Sequence, residues 1–188
     1  MLRTFLVSSL MFWIGLKAQD STNDVVSIKC GENKMSPKQS LIQFYSFNSE
    51  ISTGEIMFTG NLTEKDLTII NINRGIGSPS SLNKNVSLQL AFTTGIKTNL
   101  YEYKNDGELS FLRDTIQSCP LLLNKINTVK IKMFPDHFEI IVNGKLFADV
   151  KRLSQIGEKF KAATVKYGFA PTLIYLNCTH VSTYGENN

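Results

Sequence analysis

His137 and His180 are the only histidines in the chain. His137 follows Asp136 in the tight-turn sequence Pro135-Asp136-His137, and His180 lies in a polar tail, so neither reads as a general base. No Ser or Cys stands in a nucleophile motif. Zinc asks for clustered Cys and His ligands, and the spacings of Cys30, Cys119 and Cys178 do not offer them. Glycoside hydrolysis needs two carboxyls placed across a cleft. Glu102, Glu108 and Glu139 each stand alone on their runs, and Glu102 and Glu108 read as exposed polar positions. Gly75-Ile76-Gly77 lacks the Lys-Ser/Thr ending of a phosphate loop. The reading is of a binding protein rather than an enzyme, with no metal and no cofactor.

The start of the chain points to a secretory compartment. Met1-Leu2-Arg3 precedes an apolar run from Phe5 to Leu16, and Ala18 is a small residue at a cleavage point, so residues 1–18 read as a secretory signal peptide. The run is too short to span a bilayer comfortably, and no other stretch is long and apolar enough, so membrane insertion is not expected. Loss of Arg3 and Lys17 leaves 18 basic against 16 acidic side chains. No aromatic-interleaved basic cluster is present, which argues against nucleic acid as a partner. Lys159, Lys161 and Lys166 read as a solvated face. Three sequons, Asn61-Leu62-Thr63, Asn85-Val86-Ser87 and Asn177-Cys178-Thr179, fit a secreted glycoprotein. Three cysteines allow at most one internal disulfide in an oxidising compartment. Cys119 is then either buried and inert or exposed and able to link two chains, if it is the one left over.

The elements that must position any site are strands. Val129, Ile131 and Met133 alternate with Thr128, Lys130 and Lys132, the period of a half-buried strand. Phe138 to Val142 and Lys145 to Val150 flank Asn143-Gly144, the strongest short-range hairpin signal, so three antiparallel strands follow in order. Other strands are expected at Val25 to Cys30, Gln39 to Phe47, Glu55 to Thr59, Leu67 to Asn73, Val86 to Phe92, Asn99 to Lys104, Leu109 to Arg113, Thr164 to Phe169 and Leu173 to Cys178. Asn105-Asp106-Gly107 marks a second hairpin, Gly60-Asn61 a turn, and Ala170-Pro171 the join of the last two strands. Only Leu153 to Ala163 could be helical, and then as a short turn. About eleven strands with close turn signals make an all-β, antiparallel two-sheet sandwich. The expected division is residues 1–18 as signal, 19–38 as an N-terminal segment, 39–180 as the sandwich and 181–188 as a flexible tail.

Residues 134–152, with Pro-Asp-His-Phe-Glu, Val-Asn-Gly, Phe147 and Arg152, resemble a hairpin of galectins. Gly54 and Gly60 ahead of Leu67–Asn73 resemble the galectin pattern of two spaced glycines before an F-x-I-N-L-like strand. The resemblance covers roughly residues 40–178 and implies a galectin or concanavalin A-like jelly roll. It also brings the first and last strands together, pairing Cys30 with Cys178. Galectins hold β-galactosides on the concave sheet with a His-x-Asn-x-Arg strand, an Asn on the next, and Trp, Glu and Arg on the one after. In this chain those first three positions fall on Gln89, Ala91 and Thr93. Arg113 and Asp114 stand near the Glu and Arg positions, and Tyr101 and Tyr103 offer stacking faces in a chain whose one Trp, Trp13, lies in the signal. The carbohydrate-binding residues implied are Gln89, Thr93, Tyr101, Tyr103, Arg113 and Asp114. The resemblance implies glycans or glycoproteins as partners. The alternative is a cell-surface or other extracellular protein bound after sugar binding was lost, by a chain that can pair with a second copy through its edge strands.

Overall fold

In β9 (Ile126–Met133) the side chains of Asn127, Val129, Ile131 and Met133 are buried while Thr128, Lys130 and Lys132 face outward, as the sequence alternation requires. The same alternation recurs in several other strands among the described residues. The computed structural model describes residues 25–36, 42–63, 67–74, 86–103, 110–152 and 158–178. Among them are thirteen strands: β1 (Val25–Ile28), β2 (Gly31–Lys34), β3 (Ile42–Ile51), β4 (Gly54–Leu62), β5 (Leu67–Asn73), β6 (Val86–Thr93), β7 (Lys97–Tyr103), β8 (Ser110–Ile116), β9, β10 (His137–Val142), β11 (Lys145–Lys151), β12 (Phe160–Lys166) and β13 (Phe169–Asn177). They form a seven-stranded sheet in the order β1-β3-β12-β5-β6-β7-β8 and a six-stranded sheet in the order β11-β10-β9-β4-β13-β2. All pairs are antiparallel except β1 with β3.

The core lies between the sheets. Phe58, Ile131, Phe138, Ile140 and Ile174 from one inner face meet Phe47, Ile70, Leu88, Leu90, Phe92 and Leu100 from the other. Each such side chain contributes about 1.5–3 kcal/mol by leaving water. Gly54 and Gly60 are buried on β4, where an added Cβ would strike the carbonyl oxygens of Asn177 and Ala170 on β13. The two spaced glycines let these central strands approach closely.

Asn143 and Gly144 have φ of 50° and 79°, as a type I′ turn requires. The Asn143 amide also accepts from the Thr128 N–H at 2.9 Å and donates to the Pro120 carbonyl at 3.1 Å, fastening the loop before β9. β7 and β8 pair as the second expected hairpin, although residues 104–109 lie outside the described set.

Several expectations need correction. Phe160–Ala163 are strand, not helix, because they lie between β3 and β5 with Ala162 and Ala163 buried; residues 153–157 are outside the described set. The last two strands turn at Tyr167 and Gly168, both at positive φ, and Pro171 sits inside β13 at a register shift. Asn61 is on β4 rather than in a turn. The sandwich begins before residue 39, since β1 and β2 are the outer strands of the two sheets. Between them Cys30 is disulfide-bonded to Cys178, with Cα atoms 5.7 Å apart. Cys119 is free, half-buried, and packs against the core. His180 and residues 181–188 are outside the described set.

Candidate functional site

On the outer face of the seven-stranded sheet, register lines up Thr164, Asn71, Gln89 and Tyr101 on four successive strands. A second row holds Lys166, Ile69, Ala91, Asn99 and Thr115. Side-chain hydrogen bonds stitch the rows. The Tyr103 hydroxyl donates to Gln89 Oε1 at 3.0 Å, and Gln89 Nε2 donates to Asn71 Oδ1 at 3.1 Å. Thr115 Oγ1 donates to Asn99 Oδ1 at 3.1 Å, and Asn99 Nδ2 to the Tyr101 hydroxyl at 3.2 Å. Asn73 Nδ2 donates to Thr164 Oγ1 at 2.7 Å.

Burial divides this face. Thr164, Asn71, Asn73 and Ser87 project outward from the core yet are at most 6 % exposed, forming a closed floor. Asn71 Nδ2 is buried there with no hydrogen-bond partner among the described residues. Gln89, Asn99, Tyr101 and Tyr103 are half-exposed and form the accessible rim. A primary amide has two N–H donors and two acceptor lone pairs, so Gln89 and Asn99 keep capacity beyond the ladder.

A charged cluster fixes one end of the face. Glu158 pairs with Arg74, accepts from Arg152 at 3.1 Å, and accepts from Ser87 Oγ at 2.9 Å. Arg74 donates to the carbonyls of Val86, at 3.1 Å, and Tyr103, so it holds the ends of β6 and β7. Arg152 lies 5.1 Å from the ring centres of both Phe138 and Phe160 and donates to the Phe134 carbonyl. Burial pulls its guanidinium below the ordinary value, while the charges of Glu102 and Asp136 oppose that shift.

The structure brings Gln89, Tyr101 and Tyr103 together. Thr93 lies on the same strand and face, about 13 Å along from Gln89 at the strand repeat. Asp114 is not in the group: it pairs with core-facing Leu100 and is exposed at the sheet edge. Arg113 falls at the β7–β8 register shift, and its side chain is outside the described set. Glu102 is buried rather than exposed, because it shares the inward parity of Thr98 and Leu100. Glu108 and Asn85 are outside the described set. Glu139 pairs with Lys132 at 2.9 Å on the other sheet. Lys159 and Lys161 are exposed and pair with Glu50, but Lys166 is half-buried, and burial lowers its pKa. His137 stacks on Phe134 and meets Asp136 at 2.8 Å in its turn. Among the described residues no cluster of His, Cys, Asp and Glu could hold a metal.

Asn71, Asn73, Asn99, Thr164 and Glu158 are the residues that sequence reasoning missed. Asn71 and Asn73 carried a usable signal, as polar residues alternating with Ile70 and Ile72 in an otherwise apolar strand.

No family model matches the chain, and no curated protein matches it by sequence. Solved structures do. Galectin LEC-6 of Caenorhabditis elegans superposes with a TM-score of 0.60 at 16% identity, covering 78% of this chain and 96% of that one. A variant of human galectin-16 gives a TM-score of 0.62 at 14% identity over 77% of this chain and all 100% of the other. The carbohydrate-binding module CBM66 of Bacillus subtilis gives 0.54 at 9% identity over 82% and 98%. At these identities the likeness is one of fold, and that fold is the galectin-like β-sandwich found in lectins and carbohydrate-binding modules.

Proposed function

We propose that this is a secreted, non-catalytic protein that recognises glycans of the β-galactoside type on the outer face of its seven-stranded sheet. The observation that carries the reading is the half-exposed rim of Gln89, Asn99, Tyr101 and Tyr103, held in place by the hydrogen-bonded ladder. Sugar hydroxyls both donate and accept, so they match amides with spare donors and lone pairs. The tyrosine rings offer flat faces for the apolar side of a pyranose. The galectin and carbohydrate-binding-module neighbours support this use of the fold by analogy. The Cys30–Cys178 disulfide supports an oxidising, extracellular setting.

A second reading, a galectin-fold protein that binds an extracellular protein instead, is favoured by one feature. The floor of the face is closed, and Thr93 stands where the resemblance puts the sugar-binding Arg, so no bidentate clamp is supplied there.

A glycan array with the mature protein, followed by lactose calorimetry, separates the two. Binding that weakens in Gln89→Ala supports the lectin reading. Silence across the array, with capture of a protein ligand, overturns it.

A further inference from the structure

Three sequons occur in the chain, and the structure describes two of their asparagines in different surroundings. Leu62 is fully buried in the core, so alternation turns both neighbours outward: Asn61 and Thr63 are exposed. Asn61 stands on β4 directly opposite Ile126 of β9 and Ala170 of β13. Ile126 is 75% exposed, the highest exposure of any large apolar side chain among the described residues. Asn177 differs. It is half-buried, its side of β13 faces Glu55, and the middle residue of its sequon is Cys178, already joined to Cys30.

We propose that Asn61 is an N-glycosylation site, and that the first sugars of its glycan lie over Ile126 on the outer face of the six-stranded sheet. The inference rests on the secretory reading above. The donor is a polyprenyl-diphosphate-linked oligosaccharide. The Asn61 amide nitrogen bonds to the anomeric carbon and loses one proton, while the bond from that carbon to the diphosphate breaks and the lipid diphosphate leaves with the electron pair. Directly opposed residues on antiparallel strands have Cβ atoms about 4.5–5.5 Å apart, so a sugar linked to Asn61 meets the Ile126 side chain at once. The C–H face of the pyranose then removes from water an apolar side chain that the protein leaves largely exposed. The glycan sits on the sheet opposite the ladder of Gln89 and Tyr103, so it leaves the ligand face open.

The test translates the full chain in the presence of endoplasmic-reticulum microsomes. Protease protection reports entry into the lumen, and an endoglycosidase-sensitive mass shift reports glycosylation. The expected result is a protected chain whose shift is reduced by one glycan in Asn61→Gln. A protected chain with the same shift in wild type and Asn61→Gln overturns this site while secretion stands. A chain that stays outside the microsomes overturns the secretory reading and this site with it. For the covering role, protein secreted from cultured cells is heated and its scattering followed. Asn61→Gln should aggregate at a lower temperature than wild type, and adding Ile126→Ser should restore the higher onset. No rescue by Ile126→Ser means the glycan does not cover that side chain.

Discussion

Replacing Cys30 and Cys178 together by Ser removes a covalent link between residues 148 apart in sequence. The stabilisation at stake comes chiefly from the unfolded chain, because Cys30 is exposed and Cys178 only half-buried, leaving little packing to lose. The loop-entropy relation gives about 5 kcal/mol for a loop of this length, while measured losses on removing native disulfides run to roughly 2–5 kcal/mol. Total domain stability is roughly 5–15 kcal/mol, so the double variant should sit near the edge of folding. Guanidinium unfolding is the assay. The one Trp, Trp13, lies in the proposed signal segment, so tyrosine fluorescence and far-ultraviolet circular dichroism are the probes for a chain that begins after it. The midpoint should fall by an amount equivalent to about 2–5 kcal/mol, and the slope should rise as the unlinked chain exposes more surface. Cys119→Ser is the control and should cost no more than about 1 kcal/mol, typical of a modest core perturbation. A double variant within about 1 kcal/mol of wild type, less than the lower end of that range, would refute the reasoning, and would mean that β1 and β2 are held by sheet pairing alone.

Glu158→Gln removes the carboxylate that accepts from Arg152, whose side chain is 1% exposed, and that pairs with Arg74; the loss should be about 3–5 kcal/mol in chemical unfolding, as for other broken buried pairs. Tyr103→Phe removes the donor to Gln89 and should weaken a bound glycan about 3- to 10-fold by calorimetry with little change in melting temperature. The Glu50 carboxyl is held below its ordinary range, first by its hydrogen bonds to Lys161 and Lys159. A depressed folded-state value means the contribution is present above the unfolded value near 4.5 and is lost as pH falls through the folded one. Carboxyl titration by nuclear magnetic resonance should therefore show Glu50 rising toward its ordinary value in Lys161→Ala.

Much of the fold was legible because its local signals agree with its global pattern. Asn143-Gly144 and the β9 alternation point to the observed structure and need no long-range information to be seen, whereas the glycines of β4 were visible through the family resemblance and find their physical reason in the distant strand β13. β2 escaped because Gly-Glu-Asn-Lys at a half-exposed edge has no apolar period. β12 was obscured by Ala162 and Ala163, good helix formers that burial between two strands overrides. The candidate site was only partly legible. Gln89, Tyr101 and Tyr103 follow from position on their strands, but Asp114 does not, because the register shift at Leu100/Tyr101 moves it to the other side of the sheet. Asn71 and Thr164 are neighbours only through strand order, and the link from Glu158 to Ser87 spans 71 residues that no local pattern connects.

Residues 25–34 supply the outermost strand of both sheets at once. β1 covers the edge of β3 along Phe44–Phe47, and β2 covers the edge of β13 along Leu173–Leu176. An uncovered edge is a row of free backbone donors and acceptors, a template for another chain. One peptide therefore acts as a double hem, and peeling it away bares two templates on opposite layers together. With Cys30 still joined to Cys178 the hem stays tethered beside its own edges, where its high effective concentration favours resealing over capture by a neighbour. Reduction turns the same peptide into a strand that one molecule can lend to the next.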